Sequence, residues 1–205
     1  MIEALTGMGL SAAAGLNAYI PFLVVALIAR FTDVITLPTS LTWIESGWAI
    51  GIGSVLLLTE VVLDKIPAVD TVNDAVQTFI RPSMGGLMFA ASSAAEEVDQ
   101  SSWMAENPWV GVVLGVVVSG LVHAGKSTAR PAIDAGTLGM GTPVVSTAED
   151  TASVGLSLAA LLAPILALVG LVILAFVLVR LVLMMRRWRR RRQGGSSTGR
   201  VPGYP

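Results

Sequence analysis

Within the stretch GSVLLLTEVVLDK one glutamate, Glu60, is flanked on both sides by aliphatic residues. A carboxylate inside a membrane-embedded helix costs on the order of 2.5 to 3.5 kcal/mol, so such a group must face a partner or a cavity. Asp64 follows at i+4 on the same helical face, and Lys65 stands one residue further on. This spacing suits a carboxylate that couples to a proton or a cation. It equally suits a structural ion pair with Lys126 or Arg130, or a carboxylate that reaches water at the inner interface.

His123 is the only histidine in the chain. It continues a row of small residues, Gly111, Gly115 and Ser119, at i+4 spacing. Such a row lets a second helix pack closely, which places His123 at a helix contact, either as a packing residue or as a pH-sensitive relay to Glu60. Asn17 and Tyr19 interrupt an apolar run just before Pro21, whose ring frees a carbonyl about one turn earlier. A polar kink results, lining a pathway or bonding to neighbouring helices. Gly7, Ser11 and Gly15 give the same segment a small-residue face. In the connector AVDTVNDAVQTFIRP, Val69, Val72, Val76 and Phe79 fall at helical spacing, which predicts an amphipathic helix on the cytoplasmic surface, with Asp70, Asn73, Asp74 and Arg81 on a solvated face or ringing the mouth of a pathway. No metal site is expected, because there is one histidine, no cysteine and no carboxylate set with ligand spacing. A P-loop, a dinucleotide fingerprint, a zincin motif and a nucleophile elbow are all missing from the sequence, so neither a cofactor nor an enzymatic activity is expected.

The elements that position these residues follow from composition. Over 205 residues the chain is 54% hydrophobic and 13% charged, with a mean hydropathy of +0.75. Soluble domains carry about a quarter charged residues, so lipid is the expected solvent for most of the chain. Eight of the 13 basic residues are Arg180, Arg186, Arg187, Arg189, Arg190, Arg191, Arg192 and Arg200, leaving a body with five bases against 14 acids. Such a body would not bind nucleic acid. The run from Arg186 to Arg192 reads as a topology signal and an anionic-lipid contact at the cytoplasmic face. The segment MIEALTGMG lacks the positive region of a secretory signal, so the first apolar run is expected to be retained.

The expected fold is therefore all-α, a polytopic bundle occupying residues 1–185, followed by a basic and then disordered tail over 186–205. Hydropathy marks spans near 9–30, 48–66, 109–126 and 152–185, with two weak Gly-rich stretches at 82–95 and 132–148. With the arginine run inside, the positive-inside rule makes both weak stretches cross, giving six crossings and two cytoplasmic termini. The alternative leaves them re-entrant or interfacial, with four crossings. Laying WAIGIGSVLLLTEVVLDK over WVGVVLGVVVSGLVHAGK aligns Trp48 with Trp109 and Lys65 with Lys126, and each copy continues into an Arg-Pro pair and a Gly-rich stretch. That pattern suggests an internal repeat. GLSAAAGL and GLSLAALL also resemble each other, on helices of opposite direction.

Three stretches, GLSAAAGLNAYIPFLVVALIARF, DKIPAVDTVNDAVQTFIRP and ARPAIDAGTLGMGTPVVSTAED, occur in this order. In them the chain resembles a family of bacterial membrane proteins, domain of unknown function 4126. The resemblance implies a multi-spanning membrane protein and brings no activity, substrate or site residue. The residues themselves point to a small transporter or channel-like permease, with Glu60, Asp64, Lys65, Asn17, Tyr19, His123, Lys126 and Arg130 as pathway or coupling candidates. The alternative is a non-transporting scaffold that recruits lipid, membrane proteins or further copies of itself.

Overall fold

A computed structural model describes residues 2–92, 109–138 and 140–194. The described residues form α1 (Ile2–Leu16), α2 (Tyr19–Phe31), a 3-10 helix (Thr39–Glu45), α3 (Gly47–Leu63), α4 (Pro67–Ala91), α5 (Trp109–Thr137), α6 (Thr142–Leu162) and α7 (Pro164–Gly194), with no strand among them. The fold is all-helical.

The core is built around α1, which packs against α4, α5, α6 and α7. Every residue from Gly9 to Leu23 is buried. Small side chains make this crowding feasible, because backbones approach closely only where no Cβ intervenes. Gly7 lies against Phe89 and Ser92, and Gly15 against Ser119 and Val122. Between them, Ser11 Oγ lies 2.8 Å from the carbonyl of Gly85. The row Gly111, Gly115 and Ser119 on α5 faces α4. A Cβ on Gly115 would run into the Gly85 backbone and come within 2.8 Å of Phe89 Cβ. On its other side α1 runs antiparallel to α6. Gly9 abuts Ala160, and Ser153 Oγ donates to the Ala13 carbonyl at 3.0 Å. The two similar segments, GLSAAAGL and GLSLAALL, thus pack against each other head to tail.

Several helices differ from the expected spans. Residues 9–30 do not form one rod: the helix breaks at Asn17-Ala18, and α2 doubles back alongside α3. Phe22 meets Gly53 there, and Arg30 Nη1 donates to the Glu45 carbonyl at 2.8 Å. The stretch 132–148 is no separate span, since it divides between the end of α5 and the start of α6. Arg130 and Glu149, which bracket it, are paired at 2.5 Å, so the two ends of the stretch meet. The region 152–185 is instead two helices, broken at Ala163 before Pro164, where the proline lacks the N–H that would continue the ladder. The stretch 82–95 begins mid-helix, as α4 runs unbroken through Pro82.

The two expected repeat copies also fold differently. Lys65 sits in the turn after α3, whereas Lys126 lies within the continuous α5. The Gly7 end of α1 points away from Lys126 and Glu149, while α7 runs parallel to α5, with Leu178 beside Gly125. The start of α1 and the C-terminal end of α7 thus lie at opposite ends of the bundle. α7 continues helically through the arginine run to Gly194. The acidic loop 96–107, the tail beyond Gly194, and the side chains of Asp70, Asp134, Arg186 and Arg189 to Arg192 lie outside the described residues.

Among the described residues α5 is long and apolar enough by itself to cross a membrane. The 3-10 helix with α3, bent by 61°, makes a second candidate. Shorter apolar helices cover Ala4–Leu16, Tyr19–Phe31 and Pro164–Arg180.

The α4–α5 seam sets one expectation. Gly115→Ala forces the two helices apart and should cost about 1 to 3 kcal/mol. A methyl group added at Gly51 would meet nothing within 4 Å, so Gly51→Ala should be neutral or stabilising by up to about 1 kcal/mol. Thermal melts in detergent check both, and a Gly115→Ala protein melting with the wild type would contradict the close approach.

Candidate functional site: a buried charge network

The break between α1 and α2 leaves unpaired backbone groups at two facing helix ends, and the surrounding helices supply their partners. Lys126 Nζ, from α5, donates to the Leu16 carbonyl at 3.0 Å, placing a cation at the negative end of α1. Asn17 caps α2: its Oδ1 accepts from the backbone N–H of Tyr19 at 3.1 Å and of Ile20 at 3.3 Å. Its Nδ2 donates to Asp150 Oδ1 on α6 at 2.9 Å. With both ends of the amide engaged, Asn17 ties the tip of the broken pair to α6.

Around this tip lies a continuous network. Glu60 and Asp64 both point from the last turns of α3 toward Arg81, which α4 brings in fully buried. Arg81 Nη2 donates to Glu60 Oε1 at 2.6 Å and lies 3.5 Å from Asp64 Oδ2. That same Asp64 oxygen is 3.6 Å from Lys126 Nζ and 3.3 Å from Arg130 Nη2, while Asn73 Nδ2 donates to Oδ1 at 2.5 Å. Asp64 is therefore the hub. Glu149 on α6 closes the circuit, 2.9 Å from Lys126 and 2.5 Å from Arg130. Asp74 is more loosely held, 3.9 Å from both Arg81 and Arg130. At the edge Lys65 reaches Asp150 at 3.5 Å. Opposite charges at these separations inside an apolar bundle interact far more strongly than on a protein surface, and each offsets the desolvation of the other.

The eight pathway candidates named from the sequence all come to this region, in altered roles. Glu60 pairs with Arg81, rather than with Lys126 or Arg130. His123 does not touch Glu60. Arg81 stands between them, its Nη1 donating to His123 Nδ1 at 3.3 Å while Nη2 holds Glu60, so a permanently charged guanidinium interrupts the expected relay. The imidazole is used in its neutral Nε2–H form, donating to Thr78 Oγ1 at 3.0 Å. Arg81, Asn73 and Asp74, expected on a solvated face, are buried instead, as is Gln77. Their polar stripe turns toward the carboxylates of α3, leaving Val72, Val76 and Phe79 exposed. The apolar stripe of α4 is thus its outer one. The usable signal is charge complementarity, since four of the five bases preceding Arg180 (Lys65, Arg81, Lys126 and Arg130) enter the network. Among the described residues no group of His, Cys, Asp or Glu is arranged to hold a metal ion.

Five carboxylates, Glu60, Asp64, Asp74, Glu149 and Asp150, meet four cations, Lys65, Arg81, Lys126 and Arg130. Bonding in the network is incomplete on acceptors and donors alike: Glu60 Oε2, Asp74 Oδ1, Gln77 Oε1 and Arg81 Nε are buried with no hydrogen-bond partner. Tyr19, on α2, faces Glu60 and Gln77.

Residues 4–184 match the family described as domain of unknown function (DUF4126). The chain belongs to the DUF4126 family. The match covers α1 through most of α7, so the network lies wholly within the DUF4126 region. No curated protein and no solved structure matches the chain.

Removing Arg81 strands two buried carboxylates, so Arg81→Ala should cost about 3 to 5 kcal/mol. Asp64→Asn, which deprives three cations, should destabilise more than Glu60→Gln, which deprives one. In a double-mutant cycle Arg81→Ala with Glu60→Ala should lose less than the two single changes together. Unfolding of the purified variants measures all of these, and strict additivity would show the pair to be uncoupled.

Proposed function

We propose that this DUF4126 protein is a multi-pass membrane permease, in which the charge network is the closed inner seal of a pathway and Glu60 is the carboxylate that a translocated proton or cation visits. The observation that carries this reading is the unpartnered Glu60 Oε2, buried in a network that also holds the α1–α2 break through Lys126. A purely structural ion lock is expected to satisfy its oxygens, because an unmet buried polar atom is costly. Broken helices at depth are tolerated where their freed backbone faces protein or a wet cavity, and transporter folds place binding sites at such breaks.

The membrane placement draws on several features. α5 spans about 43 Å from its 29 residues. Trp43, Trp48 and Trp109 are exposed on the end opposite the network, where an aromatic belt would sit, and the arginine run lies at the network end. α4 and α6 are less apolar because they carry network charges that are neutralised inside the bundle. In this reading α3 through α7 each cross, the α1–α2 pair enters from the tryptophan side and returns, and the network faces the cytoplasm.

A second reading, a scaffold that binds lipid or other membrane proteins, is favoured by one feature. Apolar grooves of about 580 Å³ and 400 Å³ flank α7 on its two sides. Neither reading involves catalysis.

In vesicles loaded with a pH-sensitive dye, the permease reading predicts that wild-type protein dissipates an imposed pH gradient faster than protein-free vesicles, and that Glu60→Gln returns the rate to background while Asp33→Asn does not. A Glu60→Gln protein with wild-type flux would remove the basis for the reading. A wild-type rate no faster than that of protein-free vesicles would favour the scaffold. The chain has no cysteine, so topology is directly accessible. Gly136→Cys should react with impermeant reagent from the arginine side and Asp33→Cys from the other side, and labelling of both from one side would contradict the crossings.

A further inference from the structure

An apolar groove of about 580 Å³ lies between α1, α5 and α7, bounded along α7 by Leu171 at one end and Leu183 at the other. Twelve residue steps separate the two leucines, about 18 Å of helix. One leaflet is about 15 Å deep, half of a hydrocarbon core, so the groove has the length of a leaflet. Its direction follows from the parallel packing of α7 on α5: Leu178 sits beside Gly125, so Leu183 lies toward the network end and Leu171 toward the middle of the bundle. Leu183 also lines a second cavity, together with Arg180 and Arg187, its neighbours at i−3 and i+4 on the helix surface. The Arg180 guanidinium lies 5.5 Å from the centroid of the Phe176 ring. Among the described residues neither Arg180 nor Arg187 has a carboxylate partner.

We propose that the groove holds an acyl chain of one anionic phospholipid of the cytoplasmic leaflet, whose phosphate sits on Arg180 and Arg187. This rests on the membrane placement of α7 given above and not on flux, since none of these residues belongs to the charge network. Three properties select the occupant. Arg180 interrupts the apolar run LVILAFVLVRLVLMM, where an uncompensated charge is costly, so an anion must come from outside the chain. Guanidinium groups match phosphate oxygens in a fixed fork geometry, and the cytoplasmic leaflet supplies anionic headgroups at that level. The groove itself is apolar and ends where the arginines begin, which is the layout of a chain joined to a headgroup. A helix from a second copy or another membrane protein would need a face through both leaflets, roughly 30 Å, and the groove covers one. The arginine run beyond attracts anionic lipid diffusely, whereas the groove and the Arg180–Arg187 pair together make one saturable site.

The test is lipid retention by the purified full-length protein in detergent, titrated with dioleoyl phosphatidylglycerol, dioleoyl phosphatidylcholine and inorganic phosphate and read by native mass spectrometry. Phosphatidylglycerol should fill a single saturable site about tenfold more tightly than phosphatidylcholine, and phosphate alone should not be retained. Replacing both Arg180→Gln and Arg187→Gln should erase that preference, while Arg189→Gln with Arg190→Gln, in the run beyond, should keep it. Leu121→Trp, at an exposed position on the groove wall, should weaken retention of both lipids several-fold. If the double arginine variant fails to fold, Arg187→Gln alone and Leu121→Trp carry the test, each lowering phosphatidylglycerol retention. Equal retention of the two lipids by the wild type, or a preference that survives loss of Arg180 and Arg187, would overturn the assignment. A dimer that retains no lipid and is dispersed by Leu121→Trp would give the groove to a second copy and overturn it as well. Flux and crossings that stand without any lipid preference would sink the lipid site alone. Saturable, Arg180- and Arg187-dependent retention in a protein without flux would uphold the site and sink the permease.

Discussion

A carboxylate buried among apolar helices must have a cation within reach, and the architecture of this protein is organised by that requirement. Asp64 draws in Arg81 from α4 and both Lys126 and Arg130 from α5, and Glu149 of α6 shares the last two. Removing any one of these groups leaves the others uncompensated, so the register of four helices is fixed by one set of charges. The small-residue seams serve the same end. Gly85, Gly115 and Ser119 bring α4 and α5 close enough for Arg81 and His123 to meet, and Ser119 Oγ donates to the Arg81 carbonyl at 2.7 Å.

The helix break at Asn17 belongs to the same unit. An uninterrupted helix would carry the first apolar run past the network without presenting any polar group. By stopping at Leu16 the chain offers a carbonyl to Lys126, and by resuming at Tyr19 it offers N–H groups to Asn17 and a phenol toward Glu60. Lys126 and Arg130 each have two carboxylate partners, Asp64 and Glu149, so a shift of α6 relative to α3 can trade one contact for another without stranding a charge. This redundancy is what a seal that opens and closes requires, and it gives the permease reading its physical plausibility.

How much of this is legible in the sequence depends on the residue. The helical class follows from long apolar runs, and the rows Gly7, Ser11, Gly15 and Gly111, Gly115, Ser119 announce close-packed faces. Glu60 advertises its need for a partner, yet not which one. Arg81 is hidden because its polar stripe obeys the same periodicity whether it faces water or a charged interior, and only three-dimensional proximity to α3 decides between them. The break at Asn17 is visible as a polar interruption before a proline, but a kink and a reversal look alike in one dimension. The stretch 132–148 misleads for a related reason. The positive-inside rule requires Lys126, Arg130 and the arginine tail on one side, and one extra crossing is needed to achieve that. In the structure 132–148 is instead shared between the end of α5 and the start of α6, and 152–185 breaks at Ala163 before Pro164.

Everything above depends on α1 and α2 doubling back at Asn17, which brings their facing ends to the network. Spin labels at Ala4→Cys and Phe31→Cys on this cysteine-free chain measure that reversal by pulsed dipolar spectroscopy. A doubled-back pair keeps the labels within two or three helix spacings, below about 25 Å. A distance near 40 Å, the length of about 27 residues of continuous helix, would contradict it.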